Sequence, residues 1–129
     1  RGNGIVDDLL GVCKFNLRGY SQAEMAGLLN AATGWDVTGE EFRDIGRRIA
    51  TLLKVFNFRH GLRPETDAPS DRYGSAPLDG PFHGMAAAPA WEEMLAAYYD
   101  GMGWDQETGK PLPQTLSGLG LEHVIEDIR

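Results

Sequence analysis

Between Thr38 and Gly61 the chain carries a helix start, an unbroken helical stripe and a helix stop. Thr38-Gly39-Glu40-Glu41 is a capping box, in which the Thr hydroxyl accepts the amide three residues on and the Glu reaches back to the cap. Phe42, Ile45, Ile49, Leu52, Leu53 and Phe56 follow at the three- and four-residue spacing of one helix face. Gly61 is the natural stop. The expectation is a long helix with this stripe toward the core, and with Arg43, Arg47 and Arg48, largely off the stripe, on a solvated face or at a domain contact. A second capping box, Ser21-Gln22-Ala23-Glu24, precedes Met25, Leu28, Leu29 and Ala32, with Gly34 placed to cap the C-terminus. Nearer the start, Ile5, Val6, Leu9 and Leu10 give residues 5–14 the apolar face of a short helix or helix-turn, and Gly11 lets the backbone turn.

Residues 62–88 break this pattern. Pro64, Pro69, Pro77 and Pro81 alternate with Gly74, Gly80 and Gly84, which predicts a long irregular segment. Such segments in compact domains are functional or packed against something. A third helix is predicted from Trp91 to about Met102, with Trp91, Met94, Leu95, Tyr98 and Met102 on one face, ended by Gly103-Trp104-Asp105. Glu107 to Gly109 make a turn. Pro113 opens a short helix through Leu116 and Leu119, with Gly120 as its stop, and Leu121 to Ile128 add a last turn. No stretch alternates over strand lengths. The fold class is therefore all-α: residues 1–129 form a single irregular helical domain with a long Pro/Gly-rich loop.

Composition narrows the function classes. An apolar share of 42% argues against disorder, and no apolar run approaches the roughly 18–20 residues of a membrane span. A formal net charge of −7 disfavours a nucleic-acid surface, whose affinity comes from cationic contacts to phosphate, and suits an acidic cytoplasmic protein. Cys13 is the only cysteine, so no internal disulfide forms, which fits a reducing compartment. The start, Arg1-Gly2-Asn3-Gly4-Ile5, has no signal-peptide core and no initiator Met, so a processed product or a piece of something longer is expected.

No self-contained catalytic constellation is present, and no catalytic residue is assigned. His60, His83 and His123 lie far apart, with no i, i+4 pair for a metal. Surface or capping roles suit His60 and His83 better than a proton path. Asp7, Asp8, Glu40, Glu41, Glu92 and Glu93 sit mostly in first turns, where the helix dipole favours acids. Trp35, Tyr98, Tyr99 and Trp104 are more simply packing residues than the wall of a substrate channel.

The informative string is Asp8-Leu9-Leu10-Gly11-Val12-Cys13-Lys14-Phe15, D-x-x-G-x-C-K-F. It resembles a motif of the tungsten-containing aldehyde ferredoxin oxidoreductase family, there D-x-x-G-L-C. The likeness continues in order through Asn30-Ala31-Ala32-Thr33-Gly34-Trp35-Asp36, Gly46-Arg47-Arg48-Ile49, Phe56-Asn57-Phe58-Arg59-His60-Gly61, Tyr98-Tyr99 with Gly103-Trp104-Asp105, and Leu119-Gly120-Leu121. Val12, His60 and Met102 depart from the family pattern, which has Leu, Glu and Arg there.

The resemblance implies the C-terminal helical domain of a larger enzyme. In that family a tungsten (or molybdenum) held by two pterin dithiolenes works beside a 4Fe–4S cluster, an aldehyde and water give a carboxylic acid, and two electrons leave through the cluster to ferredoxin. Some relatives instead reduce an aromatic ring in a thioester. The resemblance maps Cys13 to the fourth cluster ligand and Asp8 to the acid that hydrogen-bonds the pterin amino group. Val12 and Lys14 map to flanking positions that contact pterin mainly through backbone. It further implies as partners the upstream cofactor-binding domains, ferredoxin or another redox subunit, and a small aldehyde substrate, and it allows a homo-oligomer. The alternatives are a stand-alone helical interaction module that has lost the chemistry, or a ring-reducing thioester relative of the same family.

Elementary chemistry agrees with that mapping. An ionised Asp accepts pterin N–H donors with charge assistance, and a thiolate next to a flexible glycine can ligate iron. Otherwise Asp8 is a helix-end acid and Cys13 a small buried apolar residue. A domain that packs on others should also expose an apolar patch, expected around Leu9, Leu10, Val12 and Phe15 with part of the 62–88 loop.

Overall fold

The computed structural model describes Leu10, Gly11, Cys13, Phe15 and residues 19–128. Of the short helix expected over residues 5–14, Leu10 and Gly11 lie in a turn and most of the rest falls outside the described residues. Five α-helices run through the described part: α1 (Gln22–Thr33), α2 (Gly39–Arg59), the single-turn α3 (Asp71–Gly74), α4 (Trp91–Met102) and α5 (Pro113–Gly118). Short 3-10 segments occupy Pro64–Thr66, Ala88–Ala90 and Glu122–Ile128. Among the described residues the one extended pairing is an isolated antiparallel bridge between Trp104 and Pro111, so the architecture is all-α as expected.

Both capping boxes form. The Ser21 hydroxyl accepts the Glu24 amide at 3.3 Å while Glu24 accepts the Ser21 amide at 2.6 Å. Thr38 and Glu41 repeat the exchange at 3.2 and 2.8 Å. Each box satisfies two of the backbone donors that a helix start leaves without partners. Asn30 then ties the α1–α2 connection. Its amide donates to Val37 O at 2.8 Å and its carbonyl accepts from Val37 N at 2.9 Å. Gly34 caps α1 through its N–H to Asn30 O.

Three apolar clusters hold the helices. Met25, Ala26 and Phe42 join α1 to α2, with Leu10, Leu29 and Val37 against them. Val55 meets Leu116, Leu121, Val124 and Ile128 of the C-terminal segment. Ala50 meets Tyr99, Met102 and Trp104.

The helix α2 forms where predicted, but of its apolar stripe only Phe42 is buried. Ile45, Leu52, Leu53 and Phe56 remain 37–55% exposed, whereas Phe42, Gly46, Ala50, Thr51, Lys54 and Val55 are buried. The reason lies in the neighbours. α1 packs on Phe42, the C-terminal segment on Val55, and α4 with Trp104 on Ala50, and Lys54 is buried because a partner neutralises it. Of the three arginines, Arg48 reaches Gly120 O at 3.5 Å, while Arg43 and Arg47 lie beside Asp44. The expected apolar patch is realised in part. Phe15, Leu78, Phe82 and Met85 are exposed, but Leu10 packs on the Met25–Phe42 cluster. Leu9 and Val12 lie outside the described residues.

Candidate functional site

The motif that carries the cofactor expectation is described only at some of its residues. Asp8, Val12 and Lys14 lie outside the described residues. Cys13 is an exposed free thiol. Gly11 before it has φ 67°, and a Cβ built there would meet nothing within 4 Å. This turn therefore has open space on the glycine side and a thiol available to a ligand. It can offer one thiolate, where a 4Fe–4S cluster takes four. Among the described residues no three His, Cys, Asp or Glu side chains gather as a metal site.

A second constellation surrounds Asp67, at the start of the Pro/Gly-rich loop. Lys54 from α2 and the Tyr99 hydroxyl from α4 both bond the same carboxylate oxygen of Asp67. The Trp91 indole N–H donates to the Asp67 carbonyl at 2.8 Å. Two helices thus grip one loop residue through three side chains. The Lys54 ammonium also lies 5.3 Å from the ring centres of Tyr99 and Trp104 and 5.4 Å from that of Phe58. Rings at this range attract a cation and replace part of the lost hydration. Trp104 turns its own N–H to Thr51 Oγ1 at 3.4 Å.

Beside this group is a cavity of about 680 Å³. Trp91, Met94, Leu95 and Tyr98 of α4 line it, with Lys54, Tyr99 and Trp104 and the loop residues Thr66, Asp67 and Ala68. Four of the five α4 residues expected to share a face therefore share this wall. Tyr98 stands edge-on to Trp104, at 5.6 Å and 88°. Burial first, and then the Asp67 hydrogen bond and charge, hold the Tyr99 hydroxyl far above the ordinary phenol range. Burial and the Asp67 charge push Tyr98 upward too. Both phenols therefore stay protonated donors at neutral pH.

A turn after α4 fixes Tyr99 from the other side. Asp105 accepts from Thr108 N at 2.8 Å and Thr108 Oγ1 at 2.6 Å, and these bonds hold its carboxyl below the usual range. That turn brings Gly109, at φ 66°, against the Tyr99 ring, where a Cβ would lie 2.7 Å from the hydroxyl oxygen.

The packing expectation for Tyr99 and Trp104 holds, since both are buried in one cluster. Tyr98 lines the cavity, and Trp35 is exposed. His60 caps α2, with Nδ1 at 2.8 Å from Phe56 O and its ring stacked on Phe56 at 4.1 Å; His83 is exposed, as expected of a surface residue. Sequence reasoning missed Lys54 and Asp67. A lysine inside the apolar run Leu52-Leu53-Lys54-Val55-Phe56 was the available signal for the first. Nothing in a Pro-rich loop marks the second.

The comparisons with known proteins agree with the motif order. A family model described as aldehyde ferredoxin oxidoreductase, domains 2 and 3, matches residues 3–121. A tungsten-containing aldehyde ferredoxin oxidoreductase of Pyrococcus abyssi is 35% identical over 120 residues, 92% of this chain and 19% of the relative. That of Pyrococcus furiosus is 36% identical over 116 residues, 88% of this chain and 19% of the relative. The active-site complex BamBC of benzoyl coenzyme A reductase, solved with 1,5-dienoyl-CoA, aligns with a TM-score of 0.64 and 25% identity over 84% of this chain and 15% of that one. Fold and matches together define a helical part of an oxidoreductase. The chain belongs to the aldehyde ferredoxin oxidoreductase family. It spans about a fifth of the length of the curated relatives it matches. No described helix is long and apolar enough to cross a membrane.

Proposed function

We propose that residues 1–129 are the C-terminal helical domain of a cytoplasmic tungsten- or molybdenum-pterin oxidoreductase that converts aldehydes to carboxylic acids and passes electrons to ferredoxin. The observation that carries this reading is the family match across residues 3–121, which includes the D-x-x-G-x-C-K-F string at its start. When bound, the pterin metal and the 4Fe–4S cluster supply the two-electron oxidation and its outlet. The chain's own residues hold and orient them. Cys13 offers one thiolate to iron, and Asp8 accepts N–H bonds from a pterin edge with charge assistance. Gly11 keeps the backbone free of a Cβ on the open side of the turn, and Val12 and Lys14 contribute backbone contacts. The exposure of Cys13 supports this division, because a thiol sealed in the chain's own core is unable to join a cluster completed by thiolates from elsewhere.

The test compares the isolated 129-residue chain with the whole enzyme after iron–sulfur reconstitution, using an aldehyde and a viologen dye. The whole enzyme should turn over, and the isolated chain should hold no stoichiometric cluster and show no turnover. A 4Fe–4S spectrum with turnover from the monomeric chain contradicts the proposal. The structural likeness to BamBC favours one second reading, a relative that reduces a ring in a thioester substrate. Dye-coupled assays with an aryl thioester against an aldehyde separate the two.

A further inference from the structure

The aromatic cavity beside α4 has no part in the reading above. We propose that it is a binding site for a flat, neutral aromatic molecule that carries one hydrogen-bond-accepting oxygen. Its volume, about 680 Å³, falls in the range of small-molecule sites, and half of its ten lining residues are aromatic or thioether side chains. Trp91 and Tyr98 offer ring surface for stacking, with the buried Trp104 behind Tyr98.

The polar groups of the wall decide the ligand's charge. Lys54 and Asp67 already neutralise each other, and Tyr99 donates to the same carboxylate oxygen. The Trp91 and Trp104 indole donors and the Thr66 hydroxyl are spent on Asp67 O, Thr51 and Arg63 O. A cationic ligand would compete with Lys54 and an anionic one with Asp67, each at the expense of its own hydration. A neutral ligand meets no such competition. Tyr98 lines the cavity, and it is its neighbour Tyr99 that donates to Asp67. The Tyr98 phenol remains protonated at neutral pH, so it can donate to an oxygen of the ligand. These features select an aryl ketone, ester or ether over benzoate-like or benzylammonium-like compounds.

The test titrates the protein with acetophenone, benzoate and benzylammonium, following the indole N–H resonances by nuclear magnetic resonance. Trp91 and Trp104 line the cavity, and exposed Trp35 does not, so Trp35 is an internal control. Acetophenone should shift Trp91 and Trp104 saturably and leave Trp35 in place. The two charged analogues should bind at least about tenfold more weakly, as expected from desolvation of a charge. Tyr98→Phe should weaken acetophenone by roughly three- to tenfold, the worth of one hydrogen bond. Met94→Trp, at a residue 56% exposed, should fill the cavity and abolish binding at an unchanged melting temperature. Absent saturation, parallel movement of Trp35, equal affinity for the charged analogues, or full binding by Met94→Trp would each overturn the assignment. None of these outcomes depends on tungsten, iron or turnover, so they leave the redox proposal untouched.

Discussion

Tyr99 donates its hydroxyl to the Asp67 carboxylate across 32 residues of sequence, and this bond joins α4 to the first turn of the Pro/Gly-rich loop. Lys54 completes the junction from α2. The loop is therefore anchored at its base although most of it is irregular and exposed.

The junction should respond asymmetrically to mutation. Asp67→Ala strands a lysine whose side chain is only 8% exposed. It should cost about 3–4 kcal/mol, the lower part of the range for breaking a buried pair because Asp67 itself is partly hydrated. Lys54→Met keeps the apolar volume and leaves an acid that is 23% exposed and can take up water, so about 1–2 kcal/mol is expected. Urea melts of both variants check the order. Equal losses would show that Lys54 is held by the rings and stem packing rather than by Asp67.

Gly109→Ala tests the other support of Tyr99. The new methyl group meets the Tyr99 ring and sits at a positive φ, so strain and collision add. A loss of about 2 kcal/mol or more is expected. Gly101→Ala, in open space within α4, should instead stabilise by roughly 0.5–1 kcal/mol through helix propensity. Thermal melts of the two variants should move in opposite directions.

Acid stability should depend on the capping boxes. Backbone and side-chain hydrogen bonds from Ser21 and Thr38 lower the carboxyls of Glu24 and Glu41 below their ordinary value of 4.5. The stability they contribute is present above that unfolded-state value and is lost as pH falls through the lower folded-state values. Ser21→Ala with Thr38→Ala should therefore destabilise the protein at pH 7 and flatten its decline between pH 5 and 3 only in part, because the backbone amides of both positions still donate to the carboxylates. Each cap removed costs about 1 kcal/mol. An unchanged acid slope in the double variant would show that the two hydroxyls have no part in setting it.

Much of the fold was legible in the residues. The capping boxes fixed the starts of α1 and α2, and the bounds of α4 and the stop at Gly120 followed from periodicity and glycine. Which face of α2 is buried was not legible. Gly46, Ala50 and Thr51 carry little hydrophobic signal yet are buried, while Ile45, Leu52 and Phe56 carry the signal and stay 37–55% exposed. The Asp67 junction was invisible for a different reason. Its partners lie 13 and 32 residues away, across a segment without periodicity. The motif residues Asp8, Cys13 and Lys14 were found by family likeness, and of these only Cys13 falls among the described residues.

The exposed stripe of α2 yields its own prediction. Leu52→Gln with Phe56→Ser should change stability by no more than about 1 kcal/mol, because both side chains are already about half in water. Concentration-dependent association of the isolated chain should fall, since Ile45, Leu52, Leu53 and Phe56 are all exposed apolar side chains on one helix. Sedimentation velocity at rising concentration measures this. Strong destabilisation would mean that the stripe supports the core after all.

The central claim, that Cys13 serves iron and Asp8 serves pterin, is tested most directly by metal content and electron paramagnetic resonance of two variants of the whole enzyme. Cys13→Ala should lose iron and the cluster signal. Asp8→Asn should retain iron and lose pterin metal, because an amide gives up the charge-assisted bond, worth roughly 1.5–3 kcal/mol. Equal loss of iron from the two variants would contradict the division of labour, and full iron retention in Cys13→Ala would remove Cys13 from the cluster.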